Sequence, residues 1–97
     1  MLYWVIYDVS DDKKRGKIAR QCKDAGLIRA QRSAFLGNLT KNTAEMLEIK
    51  IKEILGEDLG RDVVFLIPTC KECFGSKIIV GFLDEERVRE KDFLLVK

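Results

Sequence analysis

The chain has 97 residues, is 46% hydrophobic and 35% charged, and carries a formal net charge of +2. That length and balance give one folded domain with a modest core and exclude a disordered chain. The weak net charge confines nucleic-acid binding to a local patch, and no apolar run approaches the ~20 residues of a membrane span.

Leu2-Tyr3-Trp4-Val5-Ile6-Tyr7 reads as a buried strand that stops at Asp8. It has neither the basic leader nor the cleavage site of a signal peptide, so a cytoplasmic protein is expected. Asp11 or Asp12 then caps a helix that runs to about Ala25 and is closed by Gly26. Its buried stripe is Ile18, Ala19, Cys22 and Ala25, at helical spacing. Leu27 to Leu36 reads as extended, a kinked hairpin whose alternation breaks around Ser33-Ala34. Gly37-Asn38 gives a turn signal, and Leu39-Thr40 reads as a short returning strand.

A second helix is capped near Thr40 or Asn42, with Glu45 placed for a capping interaction. Ala44, Leu47, Ile51, Ile54 and Leu55 line one face, Glu48 and Lys52 pair on the other, and Gly56 ends it. Asp62 to Ile67 is a strand stopped by Pro68, Lys77 to Phe82 is another, and Phe93 to Val96 is a short last one. The order is that of an α+β, ferredoxin-like β-α-β-β-α-β sandwich with an extra C-terminal strand, in a single domain over residues 1–97. No helix is left for the second face of the sheet. Its apolar residues predict a homodimer through the sheet faces, with the surplus C-terminal strand extending the partner's sheet edge.

The chemistry is concentrated after the first strand. Asp8, Asp11 and Asp12 run directly into Lys13, Lys14, Arg15, Lys17 and Arg20, and Arg29 with Arg32 form a second basic cluster. Acids at a strand end hold a hard divalent cation, and adjacent bases hold the phosphate that it activates. The chain has no histidine. Histidine-based acid–base catalysis, serine–histidine and cysteine–histidine nucleophiles and histidine-ligated zinc are thereby excluded, leaving carboxylates, a metal and water.

Each residue has a plainer reading beside its chemical one. Asp8 is a polar strand end or a metal ligand. Asp11 and Asp12 start the helix, or one touches a metal's outer shell. Tyr7 packs in the sheet, or its hydroxyl reaches a phosphate near Asp8. The cations from Lys13 to Arg20 form a solvated helix face or a phosphate-binding row. Arg29, Gln31 and Ser33 alternate on one strand face, solvated or interfacial, and Phe35 shares their parity as interface core or as a platform for bases. Cys70-Lys71-Glu72-Cys73 is a lone C-x-x-C read as a loop between strands with two inert thiols, since zinc needs about four ligands and no thioredoxin-like βαβ context follows it for a redox role, with a site shared between protomers as the lesser alternative. An odd set of three cysteines is no disulfide framework.

Two segments are specific in combination: Tyr7-Asp8-Val9-Ser10-Asp11-Asp12-Lys13-Lys14-Arg15, and Gly26-Leu27-Ile28-Arg29-Ala30-Gln31-Arg32-Ser33-Ala34-Phe35-Leu36-Gly37 with Leu39-Thr40 after it. With them the chain resembles the CRISPR-associated protein 2 family of prokaryotic adaptive immunity, from residue 2 to about Phe82. The resemblance implies a ferredoxin-like homodimer with Mg²⁺-dependent endonuclease activity on RNA or DNA. It also implies partnership with the CRISPR integrase in spacer acquisition.

On the family pattern Asp8 is the catalytic and metal-binding residue, with Mg²⁺ as cofactor and Mn²⁺ as the alternative ion. Tyr7, Arg15, Arg29 and Phe35 match family positions, and together with Lys14 and Lys17 they are the expected nucleic-acid contacts. Lys17 replaces a frequent arginine, Ala34 a usual valine and Leu36 a frequent acid. Two copies of Asp8 facing each other across a dimer axis would repel, and one shared Mg²⁺ would satisfy both while keeping several waters, one of them the nucleophile. The non-catalytic alternative is a dimeric scaffold that grips duplex DNA and bridges integrase subunits.

Overall fold

The computed structural model describes residues 1–76 and 80. The chain runs through β1 (Leu2–Asp8), α1 (Asp12–Asp24), β2 (Ile28–Gln31), β3 (Ala34–Asn38), α2 (Lys41–Leu55), β4 (Val63–Thr69) and α3 (Lys71–Gly75). The strands form one sheet in the order β2-β3-β1-β4. β1 is antiparallel to both β3 and β4, and β2 is antiparallel to β3. Each β-α-β unit therefore spans one intervening strand, which is the split pattern of a ferredoxin-like sandwich. The expected strands at Lys77 to Phe82 and Phe93 to Val96 lie outside the described residues.

Local chemistry accounts for the two long helices. Asp11 caps α1 by accepting the Lys13 N–H at 2.8 Å, and Asp12 places a carboxylate in the first turn. Gly26, at φ 89°, carries the chain out of α1. Thr40 caps α2 by accepting the Thr43 N–H at 3.1 Å, so the partner three positions on is Thr43 and not the expected Glu45. Gly56, at φ 74°, ends α2.

The core lies between the helices and one face of the sheet. Val5, Tyr7 and Phe35 from the strands meet Ile18 and Cys22 of α1 and Leu47 and Ile51 of α2. Each fully buried aliphatic or aromatic side chain of this kind contributes about 1.5–3 kcal/mol relative to exposure. The even-numbered residues of β1 face the other way, where Leu2 and Trp4 join Ala30 and Leu36.

Five expectations are corrected here. The hairpin turns at Arg32-Ser33, not at Gly37-Asn38, which lie inside β3. Gly37 is required for close approach: a Cβ there would lie 2.8 Å from Leu27 Cδ2 and 3.2 Å from Leu27 Cα. Leu39 does not begin a returning strand; it exchanges backbone hydrogen bonds with Met1, donating at 2.9 Å and accepting from the N-terminus at 3.1 Å.

Pro68 does not stop its strand. Within the described sheet β4 pairs only with β1, and an edge strand tolerates a missing N–H. The residues after it form the short helix α3 and not a loop. Finally, the second sheet face is not bare of helices, because α3 seats Phe74 against Leu2, Ala30 and Leu36. The apolar residues left exposed on that face are Ile6, Val63, Phe65 and Ile67, at the β1–β4 side.

Candidate nucleic-acid and metal site

Topology gathers one end of the sheet. β1 ends at Asp8, which is in register with Val63 at the start of β4. The Tyr7 N–H donates to Ser33 O at 2.9 Å, which brings the β2–β3 turn alongside. The amino end of α1 follows within four residues of Asp8. Asp62 binds back across this end, accepting both the Ser10 N–H at 3.0 Å and the Ser10 hydroxyl at 3.3 Å.

The acids collected here divide by what they hold. Asp11 caps α1, Asp12 pairs with Arg15 one turn on, and Asp62 holds Ser10. Asp8 is exposed, and among the described residues no hydrogen bond or ion pair engages its carboxylate. It projects from the same sheet face as the exposed Ile6, Val63, Phe65 and Ile67.

No group of three or more acid or cysteine side chains able to hold a metal occurs among the described residues. A hard cation at Asp8 would thus have at most two such side chains from the described residues of one protomer. Mg²⁺ fits that donor set, because it retains waters and is usually bound through one or two carboxylates plus phosphate oxygens.

The cations of α1 divide in the same way. Lys14 Nζ donates to Leu55 O at 2.9 Å, closing the carboxyl end of α2. Arg15 is engaged by Asp12. Lys13, Lys17 and Arg20 are exposed and, at spacings of four and three, form one outward row. α1 packs on the helix side of the sheet, so this row and Asp8 lie on opposite sides of it.

Tyr7, Phe35 and Arg29 form a stack inside the protein. The Tyr7 and Phe35 rings lie 6.4 Å apart at 20°, and the Arg29 guanidinium sits 5.1 Å from the Phe35 centroid. Phe35 is 0% exposed and Tyr7 3%, so neither offers a ring face to a base. Of its two readings Phe35 takes the core one, inside the domain and not as a platform for bases, and Tyr7 takes the packing reading. Arg29 is half-buried, and its buried Nε has no hydrogen-bond partner among the described residues.

The expected common face of Arg29, Gln31, Ser33 and Phe35 is also corrected. A bulge between Arg29 and Gln31 pairs Arg29 with Phe35 but Gln31 with Ala34, so the two polar residues face opposite ways. Sequence reasoning passed over Asp62 as a tie to Ser10. The available signal was an acid directly before a strand that opens Val-Val-Phe.

Known proteins bear on this architecture. A family model described as CRISPR associated protein Cas2 matches residues 1–77. The chain belongs to that family. It is 38% identical over 91 residues to a CRISPR-associated endoribonuclease Cas2 1 of Archaeoglobus fulgidus, an alignment covering 94% of this chain and 95% of the relative. It is 30% identical over 94 residues to a CRISPR-associated endoribonuclease Cas2 of Thermus thermophilus, covering 96% and 97%.

The Cas2 crystal structure of Streptococcus pyogenes at pH 6.5 matches with a TM-score of 0.70 at 23% identity, over 84% of this chain and all 100% of the other, which is a likeness of fold. A hypothetical protein of Thermus thermophilus matches at 0.69 with 32% identity, over 84% and 92%. The Cas2 membership and the ferredoxin-like sandwich are thus both as the sequence led one to expect. No described helix is long and apolar enough to cross a membrane.

Proposed function

We propose that this protein is a metal-dependent endonuclease that hydrolyses phosphodiesters of RNA or DNA in a CRISPR system. It works as a homodimer with the CRISPR integrase in spacer acquisition. The observation that carries the reading is Asp8, an exposed carboxylate at a strand end that no neighbour among the described residues neutralises. The relatives' names as endoribonucleases support it.

Asp8 would hold Mg²⁺, with Mn²⁺ as the alternative, and the exposed Ile6, Val63, Phe65 and Ile67 beside it give the second copy an apolar face to cover. When bound, the ion supplies charge neutralisation at the phosphate and acidifies water. The chain's own part is to fix Asp8 at the end of a central strand that pairs with β4 along its whole length, with Ser10 tied to Asp62 next to it. The test is hydrolysis of RNA and DNA by the wild type and Asp8→Asn, with Mg²⁺ and with chelator. Cleavage by the wild type that requires Mg²⁺ and is lost in the variant supports the reading; equal cleavage by both proteins rejects it.

One observation favours a second reading, a scaffold that grips duplex DNA and bridges integrase subunits without cutting. The cationic row of Lys13, Lys17 and Arg20 lies across the sheet from Asp8, so a duplex bound along the row is not presented to that carboxylate. Under this reading Lys17→Glu with Arg20→Glu abolishes spacer integration, while Asp8→Asn leaves it intact.

A further inference from the structure

Cys70 and Cys73 have no part in the proposed nuclease site. Both thiols are exposed, and their Sγ atoms stand 2.9 Å apart. The Cys73 N–H also donates to the Cys70 sulfur at 3.2 Å. A disulfide needs about 2.05 Å between sulfurs, and Cα atoms three apart on a helical turn are about 5 Å from each other, inside the ~4.4–6.8 Å Cα separation that a disulfide spans. Closing the bond therefore asks for side-chain rotation and no rearrangement of the backbone.

The two thiols are also unequal. The Cys70 S–H donates to the Cys73 sulfur, and once Cys70 ionises it accepts from the Cys73 S–H and N–H instead, which holds the Cys70 thiol below its ordinary value of 9.0. The same shared hydrogen raises Cys73. The pair thus has an attacking sulfur and a resolving one. The remaining thiol supplies an internal contrast: Cys22 is fully buried, and burial pushes it up to about 12.

We propose that Cys70 and Cys73 are a redox-active dithiol that low-molecular-weight disulfides oxidise to an intramolecular Cys70–Cys73 bond. The Cys70 thiolate attacks one sulfur of the small disulfide, forming a mixed disulfide and releasing one small thiolate. Cys73 then gives its proton to solvent and attacks the Cys70 sulfur, which expels the second small thiolate. The protein dithiol loses two electrons, the small disulfide gains them, and the two protons end on the released thiols.

The couple is placed to be felt elsewhere. Phe74 follows Cys73 directly, is 2% exposed, packs on Leu2, Ala30 and Leu36, and lies 6.4 Å ring to ring from Trp4. The bond would pin the turn that seats Phe74 on the sheet face from which Asp8 projects.

The experiment uses the reduced full-length protein. It is equilibrated with mixtures of reduced and oxidised glutathione, quenched with iodoacetamide under denaturing conditions and read by intact mass and peptide mapping. The expected result is loss of two of the three alkylatable thiols, a linked Cys70–Cys73 peptide, Cys22 free throughout and full reversal by dithiothreitol. Cys73→Ala is expected to stop at a glutathione adduct on Cys70. In the native protein Cys70 should be alkylated at least about tenfold faster than Cys22. Three free thiols at every ratio, a lasting glutathione adduct on the wild type, or disulfide-linked dimers in place of the internal bond would overturn the proposal.

Discussion

Ser10 and Asp62, 52 positions apart, are joined twice: one carboxylate oxygen of Asp62 accepts both the backbone N–H and the hydroxyl of Ser10. This tie fastens the loop after Asp8 to the residue that precedes β4. It is exposed, so its worth is that of a charge-assisted bond in water, about 1 kcal/mol. Asp62→Ala is expected to lower the melting temperature by roughly 4–8 °C in a domain of this size. Ser10→Ala keeps the N–H bond and should cost less than half of that. Thermal denaturation followed by circular dichroism measures both, and an unchanged Asp62→Ala would show that the tie holds nothing.

Asp8→Asn separates chemistry from folding. The carboxylate is exposed and unpartnered among the described residues, so the variant should stay within about 0.5 kcal/mol of wild-type stability. Loss of a metal-holding charge worth about 3 kcal/mol should cut cleavage by roughly 100-fold. A variant that loses activity and unfolds together would assign Asp8 to the fold.

The cations of α1 call for different outcomes at adjacent positions. Lys17→Ala and Arg20→Ala remove outward charges, and each should flatten the salt dependence of duplex binding by about 0.9 in log–log slope if it meets one phosphate. Lys14→Ala removes the bond to Leu55 O, so it should reduce stability by about 0.5–1 kcal/mol through the end of α2. Filter binding across a salt series, beside urea denaturation of each variant, distinguishes the two kinds of lysine. Arg15 is expected to behave as a surface pair with Asp12, with little effect on stability.

Much of this was legible because it is local. The Asp11 cap, the Ile18-Ala19-Cys22 stripe, the Ala44-Leu47-Ile51-Leu55 stripe and the glycine stops at Gly26 and Gly56 are written within a few residues of where they act. What escaped depends on distant partners. Gly37 reads as a turn until Leu27 is known to lie against it, and Lys14 reads as a free cation until the Leu55 carbonyl arrives from 41 positions away. The bulge between Arg29 and Gln31 shifts strand parity by one residue, and alternation carried through it misassigns Gln31. Asp8 was legible as an acid at a strand end. That Asp62 comes from 52 positions away to be engaged by Ser10 beside it was not.

Phe35 shows how a family position can act without touching a ligand. It is fully buried between Tyr7 and Arg29. Phe35→Ala should cost about 3–5 kcal/mol and remove nucleic-acid binding by unfolding. Phe35→Leu keeps most of the volume and should retain both fold and binding. Retained fold with lost binding in Phe35→Leu, by circular dichroism and filter binding, would give the ring a direct part after all.

Cys22 gives the molecule a defined alkaline weakness. Burial raises its thiol from an ordinary 9.0 to about 12, with the nearby Arg29 guanidinium opposing the rise. A folded-state value above the unfolded one favours the protonated, neutral thiol in the native core. Its contribution is complete below pH 9 and is lost between about pH 9 and 12, as the unfolded chain ionises and the native one cannot follow. In that window the site adds a loss of up to about 1.4 kcal/mol per pH unit. Tyrosines and lysines titrate in the same range, so the measurement is a difference. Urea denaturation of the wild type and Cys22→Ala at pH 8 and above should show the variant less stable at the low end, from the smaller side chain, but losing stability more slowly as pH rises. Parallel curves would mean that the Cys22 thiolate is tolerated in the core.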